Sequence, residues 1–381
     1  MRALRWTTAC LSLAVIVATL PSAALAQTPQ QMADYRRKLA EYNAVREPFE
    51  ATASAYWTTI SEKRRARFAK RRNGETITAE DYVLTQPPVY SGPPKPADPS
   101  PPEKQPRPRA PLPVVADFLS QAQEHFGFSP RKPATEIDYK RAYARVASGF
   151  GLTRDQAVRV YSFESGGNGK YDVQAGLEGT RPGARAISTA LGYNQLLTTN
   201  TISILAEHGG LVVKTIHDKA HQAGGAQKAE LQRKAAIVQQ MVAFCKTVPN
   251  QWSAHEKLGV TPRGIGVHAL NLDMDVGPVL QTLKLMDSVH FAKRKGYSAP
   301  LTAAELEMMN LTGDGNGFDM VSMPQSLRVI VPTSNFFQRN GYERNPVAIR
   351  NNTVAKLLAA TDARMDNQVN LQGAKDLAAA F

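Results

Sequence analysis

Cysteine is almost missing from this chain. There are two, and Cys10 lies in an N-terminal apolar stretch, leaving Cys245 as the one thiol in residues 27–381. No disulfide can close within that part, so its fold must rest on a packed core, and it is long enough to build one or two. Beyond residue 26 there is no apolar run of membrane-spanning length. Strand-type alternation never lasts long enough for a large sheet, although 171–190 leaves room for short strands. No internal repeat is found. Several catalytic signatures are also missing. The stretch around Gly169-Lys170 fails the phosphate-loop pattern, because Glu164 stands where its first glycine belongs and Tyr171 where its Ser or Thr belongs. There is no G-x-S-x-G elbow. His217 and His221 have the i, i+4 spacing of a zinc helix, but Asp218 replaces the usual Glu and no third ligand is evident, so they read as surface residues. Asp314 to Asp319, "DGNGFD", lacks the later acids of a calcium loop and reads as a tight glycine turn. No metal or cofactor is expected.

Acidic residues are in deficit. The chain carries 46 Lys and Arg against 33 Asp and Glu, a formal charge of +13. The beginning, "MRALRWTTACLSLAVIVATLPSAALAQT", has a basic start, an apolar core and an Ala24-Leu25-Ala26 cleavage pattern. Residues 1–26 therefore read as a cleaved secretory signal, which implies a periplasmic or secreted protein. In that compartment a basic surface points to anionic envelope polymers rather than to nucleic acid. Residues 27–86 read as an N-terminal helical segment, either a helical pair or one helix bent at Pro48. The segment holds the run "KRRARFAKRR" (63–72), taken as a solvated helix face that could also dock on an envelope partner. Residues 87–113 hold 12 of the 25 prolines and read as a semi-rigid spacer.

After the spacer the pattern is helix after helix. Apolar periodicity places helices at 138–150, 196–208, 226–245, 278–294, 302–310 and 353–366. Thr153 to Gln156 and Thr302 to Glu305 are capping boxes. The first opens a helix whose apolar face is Ala157, Val158, Val160 and Tyr161, with Glu164 at its end, one turn on and on the same side. Ser165, Gly166 and Gly167 follow. A carboxyl there faces the negative end of the helix dipole and apolar neighbours, and both raise its pKa toward the range of a general acid. The glycines would let a polymer pass over it.

A second element, Gly192-Tyr193-Asn194-Gln195, precedes a new apolar helix. With Glu164-Ser165 at a helix end, it resembles the lysozyme-like catalytic domain of soluble lytic transglycosylases, which carry Glu-Ser and then Gly-Leu-Met-Gln. The family's third element, Ala-Tyr-Asn, finds Ala269-Leu270-Asn271 here, with Leu270 at the tyrosine position. Glu164 and Gln195 lie 31 residues apart, so 171–186 reads as an insertion. The resemblance covers roughly 140–290. It implies a mainly α, lysozyme-like helical catalytic domain over 114–300, with 301–381 as a helical extension packed on it. It also implies cleavage of the bond between N-acetylmuramic acid and N-acetylglucosamine in peptidoglycan, leaving 1,6-anhydro products. Glu164 would act as acid and then base. Ser165, Gly192, Tyr193, Gln195 and Asn271 would contact substrate. Ordinary glycosidases use two carboxyl groups; Asp172 and Glu178 are the candidates for a second, both in the insertion. The alternative is a non-catalytic envelope protein that binds peptidoglycan or a partner. Aromatics in 331–346 are expected to pack.

Overall fold

The computed structural model describes residues 28–100, 111–177 and 184–381. The expected leader and Glu178 lie outside them. The described chain is mainly helical, and its only β-pairing is three isolated bridges, two of which tie Leu191 to Gln174 and to Leu196. Among the described residues of 171–190 no strand forms; turns, bends and isolated bridges are found there. Sixteen α-helices lie within the described residues. They are α1 (Pro29–Arg72), α2 (Val115–Phe126), α3 (Glu136–Phe150), α4 (Arg154–Ser165), α5 (Thr198–Gln222), α6 (Gly225–Cys245), α7 (Trp252–Gly259) and α8 (Pro262–His268). After these come α9 (Gly277–Arg294), α10 (Ala303–Thr312), α11 (Asp314–Val321), α12 (Gln325–Arg328), α13 (Arg339–Glu343), α14 (Pro346–Arg350), α15 (Val354–Gln368) and α16 (Gln372–Ala379). None of them is long and apolar enough to cross a membrane.

Two compact units emerge. One holds residues 28–52 and 89–100; the other holds 53–88 and 111–381. The boundary therefore falls inside α1, and residues 53–88 share a unit with the helical body rather than standing apart before the prolines. In the smaller unit the Arg46 guanidinium stacks over the rings of Tyr90 and Phe49, at 4.6 and 5.0 Å from their centroids. Everything below concerns the larger unit.

Helix α1 is continuous, with Pro48 in its interior, rather than a helical pair. Its basic run is not a solvated face. Arg64, Arg67 and Arg71 recur at the spacing of one helix side, and Arg64 and Arg67 are buried. Arg67 is fully enclosed: its Nε meets Asp319 Oδ2 at 2.7 Å, and its Nη1 and Nη2 donate to the carbonyls of Asp81 and Asn335. Arg71 donates to the other Asp319 oxygen, also at 2.7 Å. Asp319 belongs to α11, so "DGNGFD" is a helix and not a glycine turn. Gly317 lets α11 approach α10, since a Cβ there would meet Met309 Cα at 2.3 Å.

Beside two smaller apolar clusters around Phe336 and Trp57, two large ones dominate the core. One joins α2, α5, α6, α8 and α9 through residues such as Phe118, Ile202, Val238 and Leu280. The other joins α3, α4, α9, α10 and α16 through Tyr139, Tyr161, Tyr193, Leu306 and Leu377. Burying each such side chain contributes about 1.5–3 kcal/mol. Helix α5 runs well past the expected 208. Gly209 lets α6 pack closely, since a Cβ there would lie 2.5 Å from Val242 Cγ1. Phe336 and Tyr342 are buried, as expected for packing aromatics. Cys245 is buried and unpaired.

Candidate active site

Helix α4 begins and ends on strong local signals. Thr153 Oγ1 accepts from Gln156 N at 3.1 Å, and Gln156 Oε1 accepts from Thr153 N at 3.0 Å, closing the capping box. At the other end Gly166 takes φ 68° and Gly167 φ 76°, left-handed values that glycine adopts without strain. Gly167 also has a packing reason: a Cβ on it would lie 2.6 Å from the carbonyl oxygen of Gln368, at the end of α15. Gly373 N in α16 donates to Asn168 Oδ1 at 2.9 Å. The glycine turn is thus a seat for the C-terminal helices, not an open floor for a polymer.

Glu164 lines a cleft of about 870 Å³. Gln195, Asn200, Lys284, Asn310 and the half-exposed Trp252 line it as well. Helix α10 forms the wall against α4. From it Asn310 Nδ2 donates to Glu164 Oε1 at 2.6 Å and reaches toward Glu307 Oε2 at 3.5 Å. Glu307 is fully buried, and its Oε1 has no hydrogen-bond partner. Burial raises the pKa of Glu164; the charge of Lys284, the neighbouring Glu307 carboxyl, the Asn310 hydrogen bond and the charge of Arg364 oppose the rise without cancelling it. Burial, and then the charge of Glu164, push Glu307 well above the ordinary carboxylate range. Among the described residues, a second carboxyl near Glu164 comes from α10. Asp172 is exposed and does not line the cleft.

Of the six expected site residues, Glu164 and Gln195 meet in this cleft. Gln195 stands in the left-handed region at φ 45°, and its amide donates to the Gly192 carbonyl at 2.8 Å. The other four face inward. Ser165 Oγ donates back to Tyr161 O at 2.7 Å, a local helix-end bond. Tyr193 is fully buried; its ring packs edge-on against Tyr139, Tyr143 and Tyr161, and its hydroxyl donates to Glu136. Asn271 is fully buried, donating to Thr201 Oγ1 at 2.9 Å and accepting from Gln281 Nε2 at 3.1 Å. Gly192 has φ 80°, and a Cβ on it would strike Gln281 Nε2 at 2.5 Å. Gly192, Tyr193 and Asn271 serve to fix the loop that carries Gln195. Gln281 on α9 does the fixing: it accepts from Asn194 N at 2.7 Å and donates to Leu191 O at 3.1 Å.

Lys284, one turn beyond Gln281, lines the cleft, and its Nζ lies 3.3 Å from Asn194 O. Farther along the cleft wall, Asp287 bonds His208 Nε2 at 2.6 Å, which raises the histidine's pKa. His217 and His221 are exposed on α5, and among the described residues no group of His, Cys, Asp and Glu is arranged to hold a metal. Sequence reasoning missed Glu307, Asn310 and Lys284. The available signal was an acid inside an otherwise apolar helix, "AAELEMMNLT". No family model, curated protein or solved structure matches the chain.

Proposed function

We propose that the protein is a peptidoglycan-cleaving enzyme of the lytic transglycosylase type, with a lysozyme-like catalytic body and Glu164 as its acid and base. The observation that carries this reading is the position of Glu164. It sits at the end of a helix, lines a large cleft, is held by Asn310 and has its pKa raised by burial. A group so placed keeps its proton into the range where a leaving oxygen needs one.

In this reading the glycan lies in the cleft and Glu164 donates its proton to the glycosidic oxygen as the C–O bond breaks. The resulting carboxylate then takes the proton of the sugar's 6-hydroxyl as that oxygen closes on the anomeric carbon. Lys284 supplies positive charge while Glu164 is ionised. Gln195 and Asn200 offer amides to the sugar, and Trp252 offers an exposed ring for stacking.

A second reading, glycan binding without cleavage, draws on the inward-facing side chains of Ser165, Tyr193 and Asn271. Mass spectrometry of purified peptidoglycan incubated with residues 27–381, beside Glu164→Gln, separates the two. Anhydro-muropeptides from the wild type and none from the variant support the enzyme. Reducing-end products mean hydrolysis, and binding without any product favours the second reading.

A further inference from the structure

Glu307 has surroundings unfit for a charge. Its side chain is 0% exposed. One oxygen has no partner, and the other has only Asn310 Nδ2 at 3.5 Å, the outer limit of a hydrogen bond. No ion pair to it is found among the described residues. An isolated buried carboxylate is so costly that it takes up a proton instead. A protonated carboxyl needs an acceptor, and the carboxyl that shares the Asn310 amide with Glu307 is Glu164. Two donors one turn apart on α10, Glu307 and Asn310, then converge on Glu164.

We propose that Glu307 is a positioning residue that stays protonated throughout the reaction and donates a hydrogen bond to Glu164, stabilising the carboxylate left when Glu164 gives up its proton. The inference rests on the reading of Glu164 as acid and base. The proton on Glu307 is never transferred; it bonds to the Glu164 oxygen while Glu164 is ionised, and Glu164 is reprotonated by the sugar hydroxyl. The other charged groups around the pair are accounted for. Lys284 on α9 acts on both Glu164 and Glu307 from a distance, and Arg364 on α15 acts on Glu164. Asp287 on α9 is bonded to His208, and Asp314 on α11 to Ser288. Asp319 on α11 is held by Arg67 and Arg71, and Arg159 on α4 by Asp362 and Asp366 of α15. None of these is bonded to Glu307.

The test is a carbon-13 titration of labelled glutamate carboxyls in residues 27–381, run with the muropeptide assay. Glu164→Gln assigns the Glu164 signal. Glu307→Gln keeps a neutral donor, and Glu307→Leu removes it. The Gln variant is expected to hold the Glu164 midpoint within about 0.3 unit and the anhydro-product rate within about threefold of wild type. The Leu variant is expected to raise the midpoint by about one unit and slow the reaction about tenfold, since one unit corresponds to a tenfold change. A midpoint that falls by about a unit in Glu307→Gln would mean that Glu307 was an anion, which overturns the proposal. An unchanged midpoint in Glu307→Leu overturns it as well. Should the Leu variant not fold, the direction of change in the Gln variant decides. If the midpoints behave as expected and wild type forms no product, the hydrogen bond stands and the catalytic reading of Glu164 falls.

Discussion

Two acidic clusters lie inside the larger unit, and they are built in opposite ways. Asp273 and Asp275 share the Lys234 ammonium, with Nζ at 2.8 and 2.7 Å from their oxygens, and Arg131 reaches Asp275 at 2.8 Å. Asp273 also accepts from the backbone N–H groups of Arg131, Asp275 and Val276. Burial alone would raise Asp275, but its bonds to Arg131 and Lys234 outweigh that and hold it well below the usual range. Glu164 and Glu307 have no bonded cation, and burial raises both. A carboxyl whose every lone pair is satisfied stays ionised and ties helices together. One that is buried without a bonded cation keeps its proton to higher pH, which is the property acid chemistry draws on.

The comparison breaks most visibly at Glu164. Replacing it with Gln is expected to lower anhydro-muropeptide formation by about 10²–10⁴-fold, with the fold intact by circular dichroism. Next is Lys234→Met, which leaves Asp273 and Asp275 facing each other without their shared cation. It is expected to cost about 3–5 kcal/mol in urea unfolding, and a loss under about 1 kcal/mol would remove the claim that this cluster ties the fold.

The pH dependence should separate the clusters by sign. Asp275 has a depressed folded pKa, so its contribution is present above about pH 4, the unfolded value, and is lost as pH falls toward the folded one. Glu164 and Glu307 have raised folded pKa values, so the folded chain holds protons that the unfolded chain releases above about pH 4.3. Stability falls as pH rises through that window. Urea midpoints from pH 3 to 9 are expected to show a flatter neutral limb in Glu307→Gln and an unchanged acid limb. The smallest effects belong outside both clusters. Asp172→Asn and His217→Ala are expected to shift stability by less than about 0.5 kcal/mol and to leave product formation unchanged, read by the same two assays.

Much of the fold was legible because its signals are local. Both capping boxes close as read, and the apolar face of α4, with Ala157, Val160 and Tyr161, is buried as its period predicts. Glu164 could be singled out for the same reason: helix end, apolar face and glycine stop lie within a few residues. Illegible features were those that depend on a distant partner. The basic run reads as solvated until Asp319 arrives from α11 to meet Arg67. The expected end of α5 at 208 is overrun because α6 packs on Gly209. Tyr193 and Asn271 carry polar groups that sequence assigns to a ligand, whereas Glu136 and Gln281 satisfy them inside the protein. Glu307 shows its meaning only when Glu164 lies beside it.

The seat that the glycine turn offers to α15 and α16 has a consequence for timing. Asn310, which holds Glu164, lies 146 positions later in the chain, and Gly373, which bonds Asn168, lies 205 positions later. At synthesis rates of about 5–20 residues per second, α4 waits roughly ten seconds or more for the helices that enclose its last carboxyl. Until they emerge, Glu164 is an ordinary solvated glutamate, ionised at neutral pH. A ribosome-stalled chain ending at residue 300 is therefore expected to release nothing from purified wall, while the full chain does. On the proposed function, the late arrival of α10, α15 and α16 would act as a delay that keeps a growing chain inert.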